Sequence, residues 1–252
     1  MRDMTPEEKS QRAHFEELGG MYYEHYSDRW SLEYRDRFIH EPLISGLDVE
    51  GLNVLEAMCG AGEVSRFLVQ RGAVVTGVDI SPTQMHHYSQ TCPEARPICA
   101  PILDTGLEAE SFDLIVTVGG LHHLHPKLDE AVEEIHRLLK PGGYFCFSEP
   151  HTGSFIDVLR RAWYRIDPLF EAEEEAVDIE ALRAAHHERF EFCSEIYLGN
   201  IAYFVVLNSM ILRIPHWLKK LLSPAALPME GFFNRFLTPR FSCYALSQWR
   251  KK

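Results

Sequence analysis

Between residues 52 and 148 short apolar runs alternate with segments of helical periodicity, and this alternation constrains the fold more than any other feature of the chain. Residues 52–57, 73–79, 98–103, 112–118 and 144–148 read as five strands. The fourth, FDLIVTV, is apolar almost throughout, as expected of a parallel strand covered on both faces. Between strands, residues 63–71 place Val64, Phe67 and Leu68 on one helical face and stop at Gly72. Ser81-Pro82 opens a second helix with a cap residue and a first-turn proline. Residues 128–139 form a third, which Lys140-Pro141-Gly142-Gly143 should end. Strand and helix recurring in this way predict an α/β fold with a doubly wound, mostly parallel sheet.

The first strand runs into the turn Gly60-Ala61-Gly62, which lets backbone approach a ligand closely. Ser65 stands where the dinucleotide fingerprint GxGxxG has its third glycine. Asp79 ends the second strand, where a carboxylate can accept hydrogen bonds from two ribose hydroxyls. A nucleoside-containing cofactor is expected, and an NAD(P)-dependent oxidoreductase is one reading. Glu56, at the end of the first strand, argues for another: a carboxylate beside the turn attracts an ammonium and repels a pyrophosphate. An acid that merely caps the loop is the plainer explanation.

Residues 54–68 (VLEAMCGAGEVSRFL) resemble the first motif of the class I S-adenosylmethionine-dependent methyltransferases, an acidic residue followed by GCGxG. GVDISP at 77–82, FDLIVTVGGLHHL at 112–124 and EIHRLLKPGGYFCFSEP at 134–150 are similar to that family's later motifs, in the same order. The resemblance implies a Rossmann-like, seven-stranded sheet with helical caps at both ends and S-adenosylmethionine as cofactor. It implies that Glu56, Gly60 and Gly62 line the methionine and ribose, and that Asp79 takes the ribose hydroxyls. Ile80 would pack on adenine, Leu103 and Asp104 would meet its amino edge, and Gly119 would face the sulfonium. Met58 replaces the motif's first glycine, so a side chain stands where backbone alone is usual; a non-catalytic protein retaining the fold is the reading it would favour. Tyr23 or Tyr26 could close a ring over the sulfonium, although the stripe Tyr22, Tyr23, Tyr26, Trp30 and Tyr34 also suits simple core packing.

Methyl transfer needs aligned reactants, and a base only where the acceptor is a hydroxyl or carbon acid. His122 and His123 follow the fourth strand and are the candidate catalytic residues, since imidazole accepts a proton near neutral pH. Loop fixation is the alternative for one of them. Neighbouring histidines on one turn seldom converge on a tetrahedral metal site, so no metal is expected. Glu149 and His151 could also face the acceptor. The pairs His86-His87 and His186-His187 fall in helical stretches expected to be exposed.

The chain is expected to form one domain over residues 1–252: a helical cap (1–50), a cofactor-binding core (51–150), an acceptor-covering segment (151–240), then a last strand with a basic tail (241–252). That strand is drawn at 241–248, preceded by a strand at 190–198 and helices at 155–165 and 171–187. Glu171, Glu173, Glu174 and Glu175 read as a solvated face. The formal charge of −12 and the absence of an Asn-Pro-Pro-Tyr-like tetrapeptide after the fourth strand speak against a nucleic-acid partner. Basic residues nevertheless dominate from Leu212 onward. Residues 201–214, 216–222 and 227–237 are apolar and edged with Lys219, Lys220 and other cations, so they suit peripheral contact with an anionic membrane, a roof over a greasy pocket, or an ordinary lid. A small, lipophilic or lipid-linked acceptor follows as an expectation. Asn208, Ser209 and Arg213 interrupt the longest apolar run, which is too short to span a bilayer. Unpaired cysteine spacing and the polar start MRDMTPEEKSQR lead to the expectation of a reduced, cytoplasmic protein.

Overall fold

The computed structural model describes residues 4–164 and 175–252. Its strands are β1 Asn53–Ala57, β2 Val74–Asp79, β3 Arg96–Cys99, β4 Phe112–Val118, β5 Leu139–Glu149, β6 Phe190–Leu198 and β7 Tyr244–Lys251. They form one sheet in the order β3-β2-β1-β4-β5-β7-β6, parallel except for β7, which runs antiparallel between β5 and β6. The chain order reverses between β1 and β4, and the carboxyl ends of strands at such a switch point open a ligand crevice.

Alternation along each strand sends side chains to opposite faces. Val54, Leu114, Val116 and Cys146 pack with helices α4 (Glu63–Val69) and α5 (Pro82–Thr91) on one face. Leu55, Ile115, Phe145, Phe147 and Trp249 pack on the other, against α6 (Leu128–Leu138) and α8 (Ile179–His186). The apolar stripe of α6, Leu128, Ala131, Val132, Ile135 and Leu138, is wholly buried. Ser81 caps α5 by accepting from the Gln84 amide, as its sequence position suggested.

Several element boundaries differ from the sequence reading; the helix expected at 171–187 begins, among the described residues, at Ile179. The third strand stops at Cys99 and residues 102–104 form a 3-10 turn. The Ala100 amide makes the last bond to β2, at Asp79 O, and Pro101 has no N–H with which to continue the ladder. Residues 140–143 do not simply end a helix: Leu139 pairs with Phe112 and Tyr144 with Leu114, so they bulge out opposite Asp113. The last strand starts at Tyr244 and runs to Lys251 because β5 and β6 pair with it to that point. Its basic end is therefore no free tail. Lys251 is buried, and its Nζ donates to the His136 and Leu139 carbonyls at 2.9 and 2.8 Å.

The caps come from both ends of the chain. Helices α1 (Pro6–Tyr26) and α2 (Arg29–Arg35) are followed by a π-helical turn, Asp36–His40, and by α3 (Glu41–Leu43). After α7 (Phe155–Tyr164) and β6, a second π-turn at Tyr203–Leu207 leads to α9 (His216–Phe233). Two buried polar clusters tie the caps together. Glu230 accepts from Tyr34 Oη (3.0 Å) and from the Asn200 and Ala202 amides (2.9 and 2.8 Å). Lys219 donates to His25 O (2.9 Å), Ser31 Oγ (2.6 Å) and Asp28, which places it inside the protein and not on a solvated basic face. His186 is also buried, bonded to Asp129, and only His187 of that pair is exposed. Glu171, Glu173, Glu174 and the side chain of Tyr22 lie outside the described residues. Among the described residues no helix is long and apolar enough to cross a membrane.

Candidate functional site

A cavity of about 690 Å³ opens over the switch point. Its floor is the β1 end and glycine turn, the β2 end and the loop after β4; its roof is α1, the Asp36–His40 turn and the Tyr203–Leu207 turn. π-turns are enriched at functional sites because the extra residue re-aims side chains. Here they bring Ile39 and His40, and Tyr203 and Leu207, to the cavity wall.

The turn is held from below by carboxylates. Asp79 accepts from the Gly60 amide through Oδ2 and the Ser81 amide through Oδ1, both at 2.9 Å. Burial raises its pKa. Glu56, only 3% exposed, accepts from the Ser65 amide at 2.8 Å and from the Ser65 hydroxyl, both through Oε2. Burial pushes its pKa up to about 8, against the opposing hydrogen bonds from Ser65. Glu56 thus caps α4 and also lines the cavity. The Ser65 amide at the helix start is thus already taken by a side chain and is not free for a phosphate.

Met58 has φ +55, in the left-handed region where a side chain costs about 1–2 kcal/mol. This is the physical reason a glycine is usual there. The Met58 side chain leans on Gly120: a Cβ added at Gly120 would come within 2.9 Å of Met58 Cβ and 3.1 Å of its sulfur.

Of the residues singled out in the sequence, Tyr23, Glu56, Met58, Gly60, Asp79, Ile80, Leu103, Gly119, His122 and His123 all line this cavity. Gly62 and Asp104 do not. At Gly62 the glycine is required by φ +86 and by Tyr88, whose ring would lie 2.7 Å from a Cβ. Asp104 sits in the 3-10 turn after Pro101, where Ala100, Ile102 and Leu103 supply an apolar wall in its stead. Both tyrosines reach the site with a ring face already covered. Tyr23 stacks on His87 at 4.4 Å, and Tyr26 lies under the Arg35 guanidinium at 4.9 Å.

The loop after β4 is organised by Glu149, which is fully buried at the end of β5. Its Oε1 accepts from the Gly120 and Leu121 amides, both at 2.8 Å. Its Oε2 accepts from His122 Nδ1 at 2.8 Å, which fixes the direction of that ring in the cavity wall. The His123 ring lies 4.0 Å from that of His122, and its carbonyl accepts from Gln11 of α1. His151, by contrast, is buried between Thr152 O and Ser242 Oγ, at 2.8 Å each, and does not line the cavity. Sequence reasoning passed over Arg35, which lines the wall beside Glu63 (3.3 Å), and Asn208 and Ile211 of the cap. Nothing in their local spacing marks them, because they converge from opposite ends of the chain. Among the described residues no group of His, Cys, Asp or Glu is arranged to hold a metal ion.

Residues 55–147 match the family described as "Methyltransferase domain". The chain is 33% identical over 120 residues to an uncharacterized methyltransferase of Synechocystis sp., covering 47% of this chain and 57% of that one. It is 33% identical over 138 residues to sterol methyltransferase-like 3 of Botryococcus braunii, covering 51% and 35%. The chain thus spans 57% and 35% of the length of these two relatives. In fold it is similar to the crystal structure of magnesium protoporphyrin IX methyltransferase from Synechocystis with bound SAH, with a TM-score of 0.65 and 14% identity over 98% of this chain and 100% of that one.

Proposed function

We propose, from the premise that this chain belongs to the class I S-adenosylmethionine-dependent methyltransferases, that it transfers a methyl group to a small, largely apolar acceptor bearing a hydroxyl or other acidic group. The observation that carries this reading is the pair of carboxylates around the glycine turn. Glu56 sets a buried carboxyl beneath the turn, which a bound cation would hold ionised, and Asp79 holds the turn closed from the next strand. That pair of acceptors fits a ligand with an ammonium at one end and a ribose at the other. A dinucleotide pyrophosphate would meet Glu56 unfavourably. The family's cofactor, when bound, supplies an electrophilic methyl on a sulfonium.

In this reading Glu56 binds the ammonium, and Arg35, on the same wall, is placed for the carboxylate beside it. Asp79 receives ribose hydroxyls, and Ile80, Ile102 and Leu103 enclose the base. Gly119 keeps the end of β4 free of a side chain, with φ +67 and open space where a Cβ would stand. His122 takes the acceptor's proton on Nε2 while Glu149 holds Nδ1–H, so the ring keeps its tautomer and direction. The acceptor would lie against Ile39, Tyr203, Leu207 and Ile211. This apolar wall, and the likeness to a relative named for sterol methylation, support a lipophilic acceptor.

Thermal denaturation with S-adenosylhomocysteine tests the cofactor. A ligand at a hundred times its Kd adds about 2.7 kcal/mol, several degrees for a chain of this size. NAD(P)H should give no shift. Stabilisation by NAD(P)H and none by S-adenosylhomocysteine would overturn the proposal.

A further inference from the structure

Almost every large apolar side chain that is exposed among the described residues lies on α7, α9 or the two short turns after α9, Asn234–Phe236 and Pro239–Phe241; only Val74 and Ile201 lie elsewhere. Trp217, Leu221, Phe236 and Phe241 are each 60% to 69% exposed, which no lid folded onto its own core requires. The surface is continuous. Phe232 lies 5.3 Å from the Phe233 ring and 5.5 Å from that of Phe236, and α7 packs on the Pro239–Phe241 turn. Arg160 of α7 fixes that junction by donating to Cys243 O at 2.8 Å.

The charges on these elements are sorted by burial. Their acidic residues, Asp157 and Glu230, are 1% and 0% exposed. Lys219 is turned inward as well, whereas Arg161, Lys220, Arg235 and Arg240 are exposed. A chain with a formal charge of −12 therefore presents, among the described residues of these elements, exposed charges that are all cationic beside apolar side chains that are predominantly aromatic.

We propose that this face docks on an anionic lipid bilayer. Acyl chains accommodate Trp and Phe, and lipid phosphates neutralise the rim of Lys and Arg. A second copy of the chain is a poorer occupant, because a two-fold interface would bring the cationic rims of both copies, Lys220, Arg235 and Arg240, together. The inner side of the same cap gives docking a purpose. Helix α9 packs on the Tyr203–Leu207 turn, whose Tyr203 and Leu207 line the cavity, so an acceptor dissolved in the bilayer would arrive at the cavity's apolar end. That last clause alone rests on the methyl-transfer reading.

The test is cosedimentation of the full chain with vesicles of phosphatidylcholine alone or mixed with phosphatidylglycerol. Partition into the mixed vesicles only, weakening with salt, is expected. Lys220→Glu with Arg235→Glu and Arg240→Glu should lower it by at least about tenfold. Trp217→Ser with Phe236→Ser should do the same. The melting temperature of each variant checks that it is folded, and stabilisation by S-adenosylhomocysteine, measured without vesicles, reports separately on the cofactor reading. Absence of partition by the parent chain, or partition unchanged in both folded variant sets, would overturn the proposal. So would light scattering that finds a dimer which Trp217→Ser with Phe236→Ser splits without affecting vesicle binding.

Discussion

Glu56 gives the sharpest prediction, because its free-state and ligand-bound charges should differ. Its carboxyl ionises at 4.5 in an unfolded chain and at about 8 when folded, driven chiefly by burial. A displacement of that size corresponds to roughly 5 kcal/mol, at about 1.4 kcal/mol per pH unit. Its sign is fixed: the unfolded chain loses this proton before the folded one does. The contribution to stability is therefore complete below pH 4.5 and is lost as the pH rises toward 8. A bound ammonium reverses the preference by favouring the carboxylate, so ligand binding should release the proton. Between pH 6 and 7 the affinity for S-adenosylhomocysteine should then rise about ninefold and between pH 7 and 8 about five- to sixfold, about fiftyfold in all. Titration calorimetry in buffers of different ionisation enthalpy measures the proton directly, and close to one should leave per site at pH 6.5. Glu56→Gln should abolish both the release and the slope, and should flatten the fall in melting temperature of the free protein. An affinity that is flat from pH 6 to 8 in the parent chain would refute the assignment of Glu56 as the ammonium's partner.

Further outcomes follow from the same geometry. At Met58 the usual order of substitutions should invert: Met58→Gly should be more stable than Met58→Ala by about 1 kcal/mol, because φ +55 penalises any Cβ. Equal melting temperatures of the two variants would remove the strain argument. Glu149→Gln should lower kcat by at least about tenfold and alter the acid limb of the pH–rate profile while leaving the KM for S-adenosylmethionine near its parent value, since His122 loses the anionic partner of Nδ1. Unchanged kcat would deny His122 the role of base. Lys219→Met should cost about 3–5 kcal/mol by stranding Asp28 and opening the link between caps, whereas Lys220→Met should fall within about 0.5 kcal/mol of the parent. Denaturant melts distinguish the two, and similar losses would contradict the difference in burial.

The central sheet was legible because its signals are local. Phe112–Val118 is bounded in the structure as its composition suggested, and Ser81-Pro82 starts its helix where a cap and a first-turn proline should. Ten of the site residues chosen from the sequence meet at one cavity, since strand ends in a parallel sheet all face the same edge. Where the structure differs, the reason is equally physical. Asp104 stands in a 3-10 turn and not at a strand end, because Pro101 and the end of β2 cut the third strand short. Gly62, which the motif marks, is also demanded by packing, since its φ is +86 and the Tyr88 ring lies where a Cβ would stand. His151 could not be told from a loop residue until Ser242, far along the chain, was seen to close on it.

Charge shows most clearly what each level decides. The sequence by itself determined the strand–helix alternation, the switch-point crevice and a carboxylate at each of two strand ends, because backbone periodicity and turn chemistry act over a few residues. It also determined that cations gather late in the chain. Only the tertiary structure decided what those cations do. Lys219 and Lys220 are adjacent and chemically identical, yet one is buried against Asp28, Ser31 and His25 while the other is exposed on the apolar face. Lys251 is sealed under β7's neighbours by two carbonyls. Whether a charge meets solvent, lipid or a buried partner depends on which distant segment packs over it, and burial by distant segments is written in no local pattern.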